Sequence, residues 1–530
     1  MKRSLLLGVL AAIFVAGCSK GNFSEKASEG KENIFRYPIA ELTKLDPAVV
    51  QDGDTIDVVQ QIFEGLVQWD ENSRVAPNLA ESWDLTDGGK TYVFHLKKGV
   101  KFSNGKELTA DDVKFSFERV CDPAIKSPNA KTYFNDIVGA VDKVDGKAKE
   151  VSGVKVIDPH TVSITIDKPR PYFLGKLNYI SAAIVSKDAV PAGQEITSVD
   201  KMIGTGAFIA DKYTPGQIFT MKANPNYHGG KPSIDGIERP ILIDAATRLN
   251  KFKSGELDLV QLERQDIEGL RKDAKLADQI KTFSRPVLFY VGLNVKEYPP
   301  FAKRDVRRAF AMAINKKRIV DELLGGQNEI ANGILPPGVL GYRDNAAAIG
   351  YDLEGAKKLL ASAGYPGGKG LPPVKIYFRD GRPDIRIVAD AVATDLNTGL
   401  GTQITLQARP WTQYLDEHTK NNHEFFHMRW GADYLDPENF LSVLLASYGN
   451  ENHIYYKNDA YDALTRAGDV EHDEKRRLEL YAQAEDLVLQ DAPFIPIYFQ
   501  KDAELISPRV QGLRESLFGH LPHTGVKLTR

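Results

Sequence analysis

Apolar and polar residues along this chain follow two periods. In "TVSITID" (161–167) every second residue is apolar, the pattern of a strand with one buried face. "TYVFHL" (91–96) is read as a strand too, with "DGG" before it and the "NG" of "VKFSNG" after it as hairpin punctuation. Helical spacing takes over in "LTADDVKFSFERV" (108–120), where Thr109 can cap the first turn with Asp112 three residues on. "RDVRRAFAMAINKKRIVDELLGG" (304–326) predicts one long helix, with Val306, Phe310, Ile314 and Ile319 inward and Gly325 and Gly326 ending it. "LEGAKKLLASAGYPGG" (353–368) predicts another, stopped by Gly364 and Pro366. A third, "EKRRLELYAQAEDLVLQDAP" (474–493), runs into the apolar strand "FIPIYF" (494–499). Strands mixed with helices over this length predict an α/β (mixed α+β) protein of several lobes.

One stretch offers competing chemistry. "HEFFHMRWGADYLDPENF" begins at His423 with H-E-x-x-H, the zinc-protease string in which two histidines one helical turn apart hold the metal. That site needs a helix. The local pattern puts the helix earlier, in "WTQYLDEHTK" (411–420), with the asparagines at 421 and 422 as its stop. From Glu424 on, Phe426, Met428 and Trp430 alternate with Phe425, His427 and Arg429, as in a strand. Two strand residues four apart are separated by about 13 Å, too far to share one zinc. No metal site and no cofactor is expected, and a zinc peptidase stands as the alternative from a different class. "GTGAF" (204–208) is expected to be a tight turn rather than a phosphate cradle. Asp111, Asp112, Glu118 and Arg119 are expected to be helix charges.

Composition narrows the class. The chain has 530 residues, too many for one core. Lys and Arg number 68 against 71 Asp and Glu, so no basic field favours nucleic acid. The amino terminus, "MKRSLLLGVLAAIFVAGCSK", has a basic start, an apolar run and small residues before Cys18, which is a secretory signal. Its ending "VAGC" resembles a bacterial lipobox, which predicts cleavage after residue 17 and acyl chains on Cys18 that anchor the exported protein to a membrane. Residues 19–32 are small, polar and charged, and read as a tether. The only other cysteine, Cys121, leaves no partner for an intrachain disulfide once Cys18 is acylated.

Several long segments carry a resemblance. These are 61–120, from "QIFEGLVQWDENSRVAPNLAESW" to "DDVKFSFERV", then "GTGAF", "ANPNYHGG" and "RDVRRAFAMAINKKRIV", then "YDLEGAKKLLASAGYP", "WGADYLDPENFL" and "QDAPFIPIYF". In this order they resemble the family 5 extracellular solute-binding proteins, the peptide-binding lipoproteins of ABC importers. The resemblance implies a periplasmic-binding-protein-like type II fold, a two-lobed flytrap with an extra subdomain. Lobe I would comprise 33–55, 185–280 and 495–530, the extra subdomain 56–184, and lobe III 281–494. Two crossover segments would form the hinge, with the ligand in the cleft. The implied function is capture of oligopeptides and delivery to ABC transporter permease subunits by a monomer without enzymatic activity. Dipeptides, nickel complexes or another solute remain open as cargo, as does a sensor or chaperone role.

The same resemblance implies site residues. In "WGADY", Asp433 would pair with the ligand α-ammonium, a charge whose desolvation needs a carboxylate. The ligand main chain would lie as an added strand beside "RWGAD", with Gly431 allowing close approach. Trp411 and Trp430 would line side-chain pockets. Where relatives place arginines for the ligand carboxylate, this chain has His418 and His427, which could serve if protonated. Arg429, Arg382 and Arg386 are nearby candidates.

Overall fold

The computed structural model describes residues 33–529, so the signal segment, Cys18 and the tether lie outside the described residues. Three bodies of structure surround separate apolar cores. The first is built on a four-stranded sheet of Ile34–Arg36, Gly236–Pro240, Ile218–Ala223 and Phe208–Thr214, in that order. Its core gathers Phe35, Phe63, Phe208, Phe219 and Ile237. The second has an antiparallel sheet of Ala80–Thr86, Thr91–Leu96, Thr161–Thr165 and Val154–Asp158. The Thr91–Leu96 strand buries Tyr92, Phe94 and Leu96, while the helix Ala110–Val120, closed by the Thr109–Asp112 capping box, adds Val113 and Phe117 to that core.

The third body holds a seven-stranded sheet. Its strands in chain order are β1 (Leu259–Gln261), β2 (Ile280–Leu293), β3 (Glu329–Ile330), β4 (Val374–Arg379), β5 (Ile404–Arg409), β6 (Phe425–Gly431) and β7 (Phe494–Ile506). They lie in the order β1-β7-β2-β6-β4-β5, with β3 on β7. β4 runs parallel to both β5 and β6, and the helix α1 (Pro383–Leu400) connects β4 to β5. Such sheets are buried on both faces, and β6 is: Phe425 joins one core with Phe289 and Ile376, Phe426 the other with Tyr290 and Phe440.

β2 and β7 are the longest strands, 14 and 13 residues. They pair from Ile280 and Leu505 at one end to Gly292 and Phe494 at the other, with a slip in register between Ser284 and Leu288. Pro286, which has no N–H for the ladder, sits in the slip. The two strands thus pass from the small core of Leu257, Val260 and Leu505, through an irregular point, into the cores of the third body.

Three sequence expectations need correction. The 304–326 segment is not one helix. Arg304–Ala313 ends at Ile314, whose backbone is extended, and a wider π-helical turn follows at Arg318–Leu323. The break is held from outside: Asp395 of α1 accepts the Asn315 N–H at 3.0 Å and pairs with Arg318 at 2.6 Å. "GTGAF" is a close backbone approach rather than a turn. Neither glycine has positive φ, and a Cβ on Gly206 would stand 2.5 Å from the Gln61 carbonyl oxygen. Arg119, expected to be a helix charge, is instead fully buried and makes a two-pronged ion pair with Asp46, its Nη1 2.9 Å from Oδ1. That pair ties the second body to the first.

Candidate functional site

The helix α2 (Trp411–Thr419) ends at Lys420, and Asn421 takes the left-handed conformation (φ 58°) that turns the chain into β6. H-E-x-x-H therefore spans a turn and a strand, and the helix that zinc ligation requires is not formed. His423 stacks on Tyr377 with ring centroids 4.5 Å apart and meets Glu417 at 3.2 Å. His427 is 2% exposed, lies against Phe289, and has both ring nitrogens without a hydrogen-bond partner among the described residues. Burial holds its pKa down at about 4, so it is neutral at pH 7. His418, buried against Phe426 and His453, is likewise pushed well down by desolvation and by its two histidine neighbours. Neither histidine is a cation here, which removes the protonated-histidine route to a carboxylate at neutral pH.

Asp433 follows β6 by two residues. Asn439, on the helix α3 (Glu438–Leu445), organises it. The Asn439 Oδ1 accepts from Trp430 Nε1 at 3.1 Å and from the Asp433 N–H at 3.2 Å, and its Nδ2 donates to Asp433 Oδ2 at 3.4 Å. α3 is fixed in turn by Asp436, whose two oxygens take Arg477 at 2.7 and 2.6 Å. From the second body, the Tyr133 hydroxyl donates to the Asp433 carboxylate, and Tyr133 stacks on Tyr179 at 3.8 Å. Asp433 therefore lies where two bodies meet, and it forms no ion pair among the described residues. Burial lifts its pKa to about 6 against the lowering effect of these hydrogen bonds, and the charge on Glu451 adds to the rise.

Cations stand four residues back along the chain, on β6 itself and beside its β4 flank. Arg429 keeps much of its surface open, yet desolvation is the main influence on its guanidinium and pushes it below the ordinary arginine range. Arg379, at the carboxyl end of β4, sits 4.5 Å over the Trp411 ring and is likewise pushed down by desolvation, then by Arg382 and Arg429. Arg382 caps α1 and meets Asp384 at 3.2 Å. Arg386, also expected nearby, is exposed one turn further along α1.

The half of β6 that carries Arg429 and leads to Asp433 has a free edge. β2 pairs with it along its whole length, Leu293 with Phe425 through Val287 with Gly431. β4 pairs only with Phe425 and Phe426. From Met428 onward the β4 side of β6 has no strand. A Cβ on Gly431 would meet only Val287 Cγ2, at 3.4 Å, so packing within the fold does not demand a glycine there. Trp430 is half-buried beside α3 and Trp411 opens α2 under Arg379. Sequence reasoning missed Tyr133, Tyr179, Asn439 and Arg379. Asn439 stands in "DPENF", and nothing in that window marks its side chain as the one that positions Asp433. A crevice of about 840 Å³ opens between the first and second bodies beside Glu64, Lys97 and Tyr179, with no β6 residue in its lining.

A family model for bacterial extracellular solute-binding proteins, family 5, matches residues 74–452. The chain belongs to that family. It is 31% identical over 499 residues to the probable deoxycholate-binding periplasmic protein YgiS of Escherichia coli, covering 91% of this chain and 90% of that protein. It is 29% identical over 534 residues to the periplasmic oligopeptide-binding protein OppA of E. coli, covering 96% and 95%. The structure of the E. coli murein tripeptide binding protein MppA superposes with a TM-score of 0.82 at 26% identity, covering 95% of this chain and 99% of that one. The fold is thus the two-lobed periplasmic-binding-protein fold, and the protein is an extracytoplasmic solute-binding protein. No helix among the described residues is long and apolar enough to cross a membrane.

Proposed function

We propose that this protein captures short oligopeptides between its lobes and delivers them to the permease of an ABC importer. One observation carries the reading: Asp433, ionisable and without a cationic partner among the described residues, stands at the end of a strand whose outer edge is free. A peptide α-ammonium supplies the missing cation in a desolvated setting where charge-assisted hydrogen bonds are strong. Its main chain adds to β6 from Met428 to Gly431, which gives affinity through the backbone and tolerance of side chains. Gly431 leaves the approach open, and Trp430 and Trp411 line the flanks. Arg429 and the neutral His427 face the carboxyl end. OppA and MppA, by their names, bind peptides, which agrees with this reading.

In this reading the first body, with the subdomain 56–184, closes against the third body about β2 and β7, the two long strands that run between them. Acylated Cys18 tethers a monomer to the membrane, and no chemical step is catalysed. Calorimetric titration with tripeptides and with their N-acetylated forms tests the proposal. Free-amine peptides should bind and acetylated ones should bind at least a hundredfold more weakly. Equal binding of both, or binding of neither, overturns it.

A further inference from the structure

The carboxyl end of the cleft holds more positive charge than one carboxylate requires. Arg379 and Arg429 form no ion pair or side-chain hydrogen bond among the described residues, and the Nε of Arg379 is buried without a partner. The acid paired with Arg382 is Asp384, two residues away on its own helix. Nearby acids are already taken: Asp502 by Arg285 at 2.8 Å and Glu263 by Arg248 at 3.1 Å. Asp54, across the cleft, reaches Arg379 only through its field. Arg264 adds a fourth guanidinium whose charge is felt at Tyr498. Arg379 and Arg429 are thus two guanidiniums that no carboxylate pairs with directly, with Asp384, Asp54 and Asp502 acting on them only at a distance.

Unpartnered polar atoms mark the same place independently. The Tyr498 hydroxyl, on a residue 1% exposed, has no hydrogen-bond partner among the described residues, and Asp384, Arg382, Arg429 and Arg264 are the charges around it. His427, two residues before Arg429 on the same face of β6, is the second orphan. Both rings flank Phe289, at 4.5 Å for Tyr498 and 5.8 Å for His427. Buried polar groups are normally satisfied, so a cluster of orphans beside unpaired cations is the donor set of an anion-binding site. The backbone agrees. The site lies at the carboxyl end of β4, where α1, 18 residues long, begins, the usual place for an anionic group in a parallel sheet.

We infer that the cleft selects peptides whose carboxyl end bears two negative charges, namely those with a C-terminal Asp or Glu. This rests on the peptide reading above, with Asp433 holding the ammonium. Asp433 and Arg429 are four residues apart, about 13 Å along an extended chain, which suits a ligand of three to four residues. Arginine forks then take the α-carboxylate and the side-chain carboxylate separately, with Tyr498 and His427 donating single hydrogen bonds.

Ala-Ala-Glu, its neutral isostere Ala-Ala-Gln, and N-acetyl-Ala-Ala-Gln are titrated into the mature protein at low ionic strength. Ala-Ala-Glu should bind at least tenfold tighter than Ala-Ala-Gln, and the preference should shrink to under threefold in Arg379→Met and in Arg429→Met. Variants are first checked for wild-type melting, and either one that folds suffices. If Gln and Glu peptides bind alike while acetylation abolishes binding, the inference falls and the peptide reading stands. If acetylation changes nothing, or no peptide binds, both fall. A Glu preference that survives in both folded variants also overturns the assignment of these arginines.

Discussion

Replacing Asp433 by asparagine should move two observables in opposite directions. In the ligand-free protein the Asp433 pKa is about 6, against roughly 4 for an unfolded aspartate. A folded-state pKa raised in this way means that its stability contribution is whole below pH ~4 and is lost as pH rises through about 6. At pH 7 the empty site therefore holds a carboxylate whose ionisation destabilises the fold by up to about 3 kcal/mol. The Asp433→Asn variant keeps the shape, the Trp430–Asn439 contact and an acceptor for Tyr133, and it drops the charge. Ligand-free, it should melt higher than wild type at pH 7, and the difference should vanish near pH 4. Peptide binding should go the other way. A buried ammonium without its counter-ion costs about 3 kcal/mol or more, roughly a hundredfold in Kd. Binding by the wild type should also weaken roughly tenfold between pH 7 and pH 5, as the carboxylate protonates, whereas the variant's residual binding should be flat over that range. Scanning calorimetry and titration calorimetry at pH 4, 5 and 7 read all of this. A lower melting point for the ligand-free variant at pH 7 would refute the reasoning, because Asp433 would then be a structural hydrogen-bonding residue.

Other consequences are equally direct. Asp46→Asn leaves the buried Arg119 guanidinium unmatched between the first two bodies and should destabilise the protein by about 3–5 kcal/mol in denaturant unfolding. A change below about 1 kcal/mol would mean water or another group replaces the carboxylate. His427 is neutral with a pKa of about 4, below its unfolded value, so it contributes stability that is whole above pH 6.5 and lost as pH falls through about 4. His427→Leu should therefore flatten the acid side of the melting curve by up to about 3 kcal/mol, leaving the part due to His523. Cys18→Ala should release the exported protein from the membrane fraction, as detergent partitioning of cells making wild type and variant would show.

The sequence was most legible where local chemistry decides structure. The Thr109 capping box, the α2 stop at Asn421 and the alternation of Phe425 to Trp430 all belong to short windows, and the strand they predict removes the zinc reading. The long helix failed because its break is tertiary. Nothing within 304–326 shows that Asp395, some eighty residues away, will capture the Asn315 N–H. The site divides the same way. Asp433, Gly431 and Arg429 stand together on one short segment. Arg379, Tyr133 and Tyr498 come from β4, the second body and β7, and only the folded sheet brings their charges and hydroxyls to β6.

The arrangement explains why the ends of the site do not satisfy each other. Asp433 and Arg429 have opposite charge and stand four residues apart, so a flexible chain would let them pair. β6 opposes this, because its register with β2 is fixed residue by residue as far as Gly431 and holds Arg429 in the ladder, while Asn439 holds Asp433 beyond the strand end. Each end is also desolvated, which raises the Asp433 pKa and depresses those of Arg379 and Arg429. The fold thus keeps these opposite charges from neutralising each other. A ligand neutralises both only if it carries a cation and anions at matching separation, and an extended short peptide does so with its own main chain, whatever its central side chains. Broad tolerance in the middle and strict demands at the termini then follow from the same strand.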